Sequence, residues 1–165
     1  MKRFPSNDVI RTEDDQYMIE ALKEAWQAFD RDEVPVGSVI VFDRRIVARG
    51  YNQVELLQDA TAHAELLAIG AASQFFSNWR LEGATLYTTL EPCPMCLGAI
   101  FLSRISRLVW GASDMRHGAC GSFVNLLSVP HPTHQLDAVG DILSAWCAQP
   151  LQRFFQQRRV QNQET

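Results

Sequence analysis

Four side chains of this sequence have the types and spacing for metal-assisted hydrolysis. Thr61-Ala62-His63-Ala64-Glu65 carries an imidazole and a carboxyl group, and Leu90-Glu91-Pro92-Cys93-Pro94-Met95-Cys96 carries two thiols three residues apart. A zinc ion held by one imidazole and two thiolates keeps its fourth tetrahedral position for water. The pKa of that water falls to about 7, so hydroxide is available at neutral pH. A closed structural site would take four protein ligands, so three is a catalytic number. Glu65 is then left to take a proton from the water and pass it on to a leaving amine.

These groups need particular elements beneath them. Cys93 and Cys96 belong on one face of a helix start, where unpaired N–H groups and the positive end of the dipole favour thiolates. Residues two apart on a regular helix point in nearly opposite directions, so His63 and Glu65 can share a site only if they begin a helix. Thr61 is the expected N-cap. Taken singly, the signals stay open: C-x-x-C also suits a redox pair or half of a structural zinc site, and a lone His63 suits a satisfied core histidine.

Around these stretches the chain alternates between helical and extended patterns. Thr12-Glu13-Asp14-Asp15 reads as a helix start, followed by Met18, Leu22, Ala25 and Phe29 at helical spacing. Val36 to Phe42 and Ile46 to Tyr51 read as antiparallel strands joined at Asp43-Arg44. Asn52 to Ala60 is expected as a loop, Ala62 to Phe76 as a second helix, Ala84 to Leu90 as a strand and Cys93 onward as a third helix. Arg107 to Gly111 is a further strand, and the strand, helix, strand order predicts a parallel pairing. Ser113 to Ser122, with Gly118 and Gly121, is a loop, Phe123 to Val129 a short helix, and Leu136 to Val139 a last strand. Ile142 to Val160 has helical composition, but Pro150 predicts a kink or two helices.

With 165 residues, 47% of them hydrophobic, the chain can bury a sizeable core as one domain. It has no apolar run of membrane-spanning length, and Met1 to Asp15 is polar and acidic, so a soluble cytoplasmic protein is expected. The net charge is −4, yet Arg11 to Glu33 alone holds eight acids and three bases, which leaves the remainder at +1. Charge therefore neither supports nor excludes a nucleic-acid partner. Cys120 and Cys147 lack a partner at ligand spacing and read as buried small hydrophobes. His131 and His134 lie among prolines in a turn-like stretch and read as a surface loop rather than a metal pair, and nothing in the spacing gives His117 a role.

The joint pattern H-A-E followed by P-C-x-x-C resembles the zinc nucleobase deaminases of the cytidine deaminase superfamily, and within it the bacterial tRNA-specific adenosine deaminases. The likeness runs from about Tyr17 to Arg159. It is carried by Glu33-Val34-Pro35-Val36-Gly37, the two stretches above, Ala84-Thr85-Leu86-Tyr87, Gly111-Ala112, Gly121-Ser122, and Phe154-Phe155 with Arg158-Arg159. The resemblance implies a three-layer α/β/α fold around a five-stranded mixed sheet. It further implies a single zinc-dependent deaminase domain over 1–165, with a flexible N-terminus over 1–12 and a flexible tail over 160–165. One zinc per chain, held by His63, Cys93 and Cys96, a homodimer, and Glu65 as proton shuttle follow from it.

By the same likeness Asn52 and the backbone of Ala64 hold the adenine edge, Val36 and Leu90 line the pocket, and Asp114 and Phe154 lie along the RNA path. The implied reaction turns adenosine into inosine at the wobble position of a tRNA anticodon loop, where an unstacked base is cheaply supplied. From spacing alone the Phe154 to Arg159 tail suits either base stacking or two phenylalanines packed on the core. Pro94-Met95 with Leu97-Gly98-Ala99-Ile100 is also similar to guanine deaminases. A guanine or cytosine/cytidine deaminase acting on a free base or nucleoside, and a non-catalytic zinc-stabilised or RNA-binding module, are the competing readings.

Overall fold

The computed structural model describes residues 2–161. Helix α1 (Glu13–Asp30) starts at the expected cap: Thr12 Oγ1 accepts from Asp15 N at 3.1 Å, and the Asp15 carboxyl accepts from Thr12 N at 2.8 Å. This reciprocal capping box satisfies donors that the first turn leaves unpaired. Strands β1 (Gly37–Phe42) and β2 (Arg45–Tyr51) form a hairpin whose two turn residues, Asp43 and Arg44, take positive φ angles of 48° and 60°. A two-residue turn of that kind matches the twist of its strands. There follow α2 (Val54–Leu57), α3 (Ala64–Phe76), β3 (Thr85–Leu90), α4 (Pro94–Leu102), β4 (Arg107–Ala112), β5 (Asp137–Val139) and α5 (Ser144–Gln161).

The strands make one five-stranded mixed sheet in the order β2-β1-β3-β4-β5. β1 runs antiparallel to β2 and β3, while the pairs β3 with β4 and β4 with β5 are parallel. Side-chain alternation sorts the core into two layers. Ile40, Leu86 and Leu108 point to the face covered by α3 and α4, where they meet Ala68, Ala72, Leu97 and Ile100. Val39, Val41, Tyr87 and Val109 point to the other face and meet Met18 and Ala21 of α1 and Cys147 of α5. The three-layer α/β/α fold is thus present. Among the described residues no helix is long and apolar enough to cross a membrane.

Several local expectations are corrected. The second helix begins at Ala64 and its N-cap is His63, because the Thr61 hydroxyl donates to Asp59 Oδ1 at 2.7 Å instead of capping. The expected loop after Asn52 contains the single turn α2, whose Glu55 and Leu56 N–H groups are taken up by Glu33. Phe123 to Val129 forms only a 3₁₀ turn at Leu126–Ser128, where Asn125 accepts from Ser128 N at 3.2 Å and local side-chain bonding competes with a helix. α5 is one continuous helix through Pro150. That residue gives Trp146 no amide proton, but Cys147 and Phe154 are both buried on either side of it, and their packing holds the helix together.

The start of the chain makes contacts of its own. The Arg3 guanidinium pairs with both carboxyl oxygens of Asp30 at 2.7 Å, the Trp26 indole donates to Arg3 O at 3.0 Å, and Phe4 packs on Leu22, Ala25 and Trp26. A buried indole N–H needs an acceptor, and this segment supplies it. At the other end α5 reaches Gln161, so the rest of the tail expected over 160–165 lies outside the described residues.

One polar cluster ties α1 to the sheet. Arg107 on β4 donates to Asp14 at 2.7 and 2.9 Å and to Asp137 at 2.9 Å, and Tyr87 Oη donates to Asp14 at 2.8 Å. The Arg107 hydrogen bond holds the Asp14 carboxyl below its ordinary 3.8. Because the folded value is depressed, the contribution is complete above the unfolded pKa and is lost as pH falls through the folded one. Asp14→Ala is expected to lower stability by about 2 kcal/mol at neutral pH. In urea titrations that difference from wild type should shrink below pH about 4; a difference that stays constant down to pH about 2 would refute the ionic account.

Candidate metal centre and substrate cavity

Two helix starts build the site. His63 caps α3 in extended conformation, at φ −73° and ψ 150°, and the first bond of that helix runs from Leu67 N to His63 O at 3.0 Å. Cys93 caps α4 at φ −74° and ψ 170°, with Pro94 in the first helical position, where its missing N–H is harmless. Neither cap residue makes the side-chain bond that Ser, Thr, Asp or Asn would make there. That omission costs about 1 kcal/mol per helix. It leaves the imidazole and the thiol to face each other, and one extended residue before a helical one lets His63 and Glu65 reach a common site.

The donor atoms converge. His63 Nδ1 lies 3.4 Å from Cys96 Sγ and 3.7 Å from Cys93 Sγ, and the three ligand atoms are all within 4.8 Å of one another. Zinc with ordinary Zn–N and Zn–S bonds in a tetrahedron separates nitrogen from sulfur by about 3.6 Å, and both nitrogen–sulfur separations here match that value. Two thiols and an imidazole form a soft donor set that suits zinc over magnesium or calcium. Among the described residues this is the only trio of such side chains that could hold a metal.

Electrostatics agree with a cation at this point. The hydrogen bond from Cys96 pushes the Cys93 thiol down to about 4, while the same contact raises Cys96. His63 is raised by its hydrogen bond to Cys93. Holding a cation requires both sulfurs as thiolates and the imidazole neutral, so metal binding at these groups releases protons. Glu65 is 4% exposed, and burial pushes its carboxyl up to about 7.

A cavity of about 550 Å³ opens over these groups. Val34, Val36, Val54, Leu90 and Phe123 give it apolar walls; Asn52, His63, Ala64 and Glu65 lie on its lining, with Asp114 and His117. The expected residues Val36, Asn52, Ala64, Leu90 and Asp114 are therefore brought together with the metal ligands. Phe154 is not: it is 7% exposed and packs edge-on against Phe29, with centroids 6.3 Å apart. Phe155, at 46%, is the aromatic that meets water there. Elsewhere His131 stacks on Phe101 and His134 approaches Ile105 O at 2.6 Å, away from the cavity. Cys120 and Cys147 are free, and burial pushes both thiols up to about 12.

Two carboxyl groups prove more important than their sequence motifs indicated. Glu91, nearly buried, accepts from Asp114 N at 3.1 Å, Cys120 N at 2.9 Å, Ser122 N at 3.1 Å and the Ser122 hydroxyl. The loop that carries Asp114 and His117 is wound around this one side chain. At Gly118 a Cβ would lie 2.4 Å from Glu91 Cδ, so only glycine allows that approach. Glu33 plays a comparable part beside Asn52. The signal in the sequence was their place in two motifs, Glu33 before Val34-Pro35-Val36-Gly37 and Glu91 between Leu90 and Pro92-Cys93.

Residues 11–112 match the cytidine and deoxycytidylate deaminase zinc-binding region. The tRNA-specific adenosine deaminase of Bacillus subtilis (strain 168) is 47% identical over 148 residues, which span 90% of this chain and 92% of that protein. The chain belongs to the cytidine and deoxycytidylate deaminase family, in the branch of the tRNA-specific adenosine deaminases. A solved structure from work on A-to-I editing by tRNA:A34 deaminases at the wobble position of transfer RNA aligns with a TM-score of 0.79 and 44% identity. It covers 82% of this chain and 99% of that one. The guanine deaminase of Bacillus subtilis is more distant, with a TM-score of 0.59 and 31% identity over 78% of this chain and 83% of its own. As a member of this family the chain is a zinc-dependent hydrolase acting on C–N bonds.

For this deaminase the geometry separates metal binding from the buried carboxyl. Cys93→Ala and Cys96→Ala should each drop zinc from one equivalent per chain to a small fraction, read by elemental analysis after dialysis. Glu65→Gln should keep the full equivalent, and loss of zinc in that variant would show the carboxyl to be a ligand.

Proposed function

We propose that this chain deaminates adenosine to inosine at the wobble position of a tRNA anticodon loop. The observation that carries the reading is one cavity holding the His63, Cys93 and Cys96 donors beside a buried Glu65 that the metal does not need, in a chain so similar to tRNA-specific adenosine deaminases. Bound zinc supplies a water of pKa about 7 as nucleophile at neutral pH. Glu65, whose carboxyl burial raises to about 7, would take one proton from the attacking water and deliver it to the purine ring nitrogen, then take the second from the new C6 hydroxyl and pass it to the departing amino group, which leaves as ammonia. Water adds at C6, the C6–N6 bond breaks, and the products are inosine and ammonia.

The remaining residues bind rather than react. Asn52 and the Ala64 backbone hold the adenine edge, Val36 and Leu90 sandwich the base between apolar walls, and Asp114 lies where the flanking RNA passes. The cavity volume falls in the range that fits one small ligand, in accord with a single unstacked base. Phe154 supports the tail from within, its ring under the Arg158 guanidinium at 5.2 Å, and with Arg158 paired to Asp32 at 2.8 Å it is Phe155 and Arg159 that are left for the RNA. The protein acts as a single domain over 1–165, as a homodimer, in the cytoplasm. The guanine deaminase likeness supports a second, weaker reading in which a free base is the substrate.

Zinc-loaded protein given an anticodon stem-loop with adenosine at the wobble position, beside guanine, cytosine and cytidine, distinguishes the readings. Ammonia and inosine should form from the stem-loop alone, and Glu65→Gln should slow that turnover by about 10²–10⁴-fold while retaining zinc. Ammonia from guanine, with no inosine in the stem-loop, would assign the chain to free-base deamination.

A further inference from the structure

Glu33 lines the cavity yet is only 1% exposed, and its two carboxyl oxygens are both committed. Oε1 accepts from Leu56 N at 2.6 Å; Oε2 accepts from Glu55 N at 3.2 Å and from Asn52 Nδ2 at 3.3 Å. Backbone N–H groups can only donate, so both oxygens act as acceptors. The Asn52 atom that faces Oε2 must then be the amide nitrogen, because a carbonyl oxygen would have nothing to receive. The direction of an asparagine amide is ordinarily an open choice. Here a buried neighbour makes it.

The backbone of Asn52 is fixed as well. Its N–H donates to Val36 O at 3.0 Å, and the next residue, Gln53, donates to Ala62 O at 3.0 Å. Main chain and side-chain direction are thus set by separate contacts, the first by the strand ends and the second by Glu33.

We infer that Glu33 is a positioning residue: it locks the Asn52 amide in one sense, leaving Oδ1 and the second Nδ2 proton in a fixed order for the edge of the base. The inference rests on the reading above, in which Asn52 holds that edge. A fixed order of donor and acceptor is what lets a site reject a base of opposite polarity, since the wrong base leaves buried polar groups unpaired. Glutamine at position 33 keeps the shape but can turn a donor toward Asn52, and the amide is then able to rotate by half a turn.

The test uses zinc-loaded wild type, Glu33→Gln, Asn52→Ala and the double variant on the stem-loop with wobble adenosine. Glu33→Gln should reduce kcat/KM by about 30-fold with one zinc per chain retained. In the Asn52→Ala background the same change should cost less than about twofold, because nothing is left to position. Equal losses in both backgrounds would overturn the inference and give Glu33 a role through α2 alone. A second measurement needs neither substrate nor a folded variant. Hydrogen exchange by NMR should find an Asn52 side-chain amide proton protected in wild type, and fast exchange of both protons would sink the proposal. If wild type leaves the stem-loop unchanged, the functional reading fails, and the exchange measurement still decides whether Glu33 fixes Asn52.

Discussion

His63 Nδ1 and the sulfurs of Cys93 and Cys96 lie within 4.8 Å of one another although they come from different helices, and backbone packing against one sheet maintains that closeness. α3 lies so near β2 that a Cβ at Gly50 would sit 2.4 Å from Ala64 O, the residue between His63 and Glu65. Only three residues separate the end of β3 from the start of α4, with Ala119 N donating to Pro92 O in the connection. The metal centre therefore depends on how closely two helices approach a sheet. A side chain at position 50 would push α3 outward and separate His63 from both thiols, with no ligand changed. Small residues on that face, Ala68 and Ala72 among them, serve the same requirement.

The loops over the cavity are organised differently. They contain little regular secondary structure, so their backbone donors need other acceptors, and two buried glutamates supply them. Glu91 gathers the N–H groups of residues 114, 120 and 122, while Glu33 gathers those of 55 and 56. Each carboxyl replaces a stretch of ladder hydrogen bonds with a single hub. This arrangement allows polar groups such as Asn52 and Asp114 to sit at the cavity surface on irregular backbone that is nevertheless well determined.

Much of this was legible in the sequence because the controlling physics is local. Thr12 with Asp15, the short apolar and β-branched runs of β1, β3 and β4, and the turn at Asp43-Arg44 all follow from neighbouring residues. The metal ligands could be found because cysteine and histidine are rare and their chemistry is narrow. Other features depend on contacts distant in the chain. That His63 rather than Thr61 caps α3 is decided by Asp59 and by the thiols; that α5 continues through Pro150 is decided by burial of Cys147 and Phe154; that residues 3–5 are anchored is decided by Asp30 and Trp26. The hubs Glu33 and Glu91 were visible as letters of a motif, but their function as acceptors depends on backbone groups up to 31 residues away.

The Arg107 cluster bears on the order in which the molecule can be assembled. Asp14 is bonded to Tyr87 and Arg107, which follow it by 73 and 93 residues. During synthesis α1 emerges first, but its docking surface is incomplete until β4 has been made. The hairpin and the two helix starts bearing His63 and Cys93 lie wholly within that interval. The segment between Asp14 and Arg107 thus carries every metal ligand, and the ion pair that spans it closes the chain around them. The apolar face of α1 has its first partners in Val39 and Val41 of β1, close behind it in the chain, whereas its polar end is fixed only by Arg107, so one helix is held by a near apolar contact and a distant ionic one.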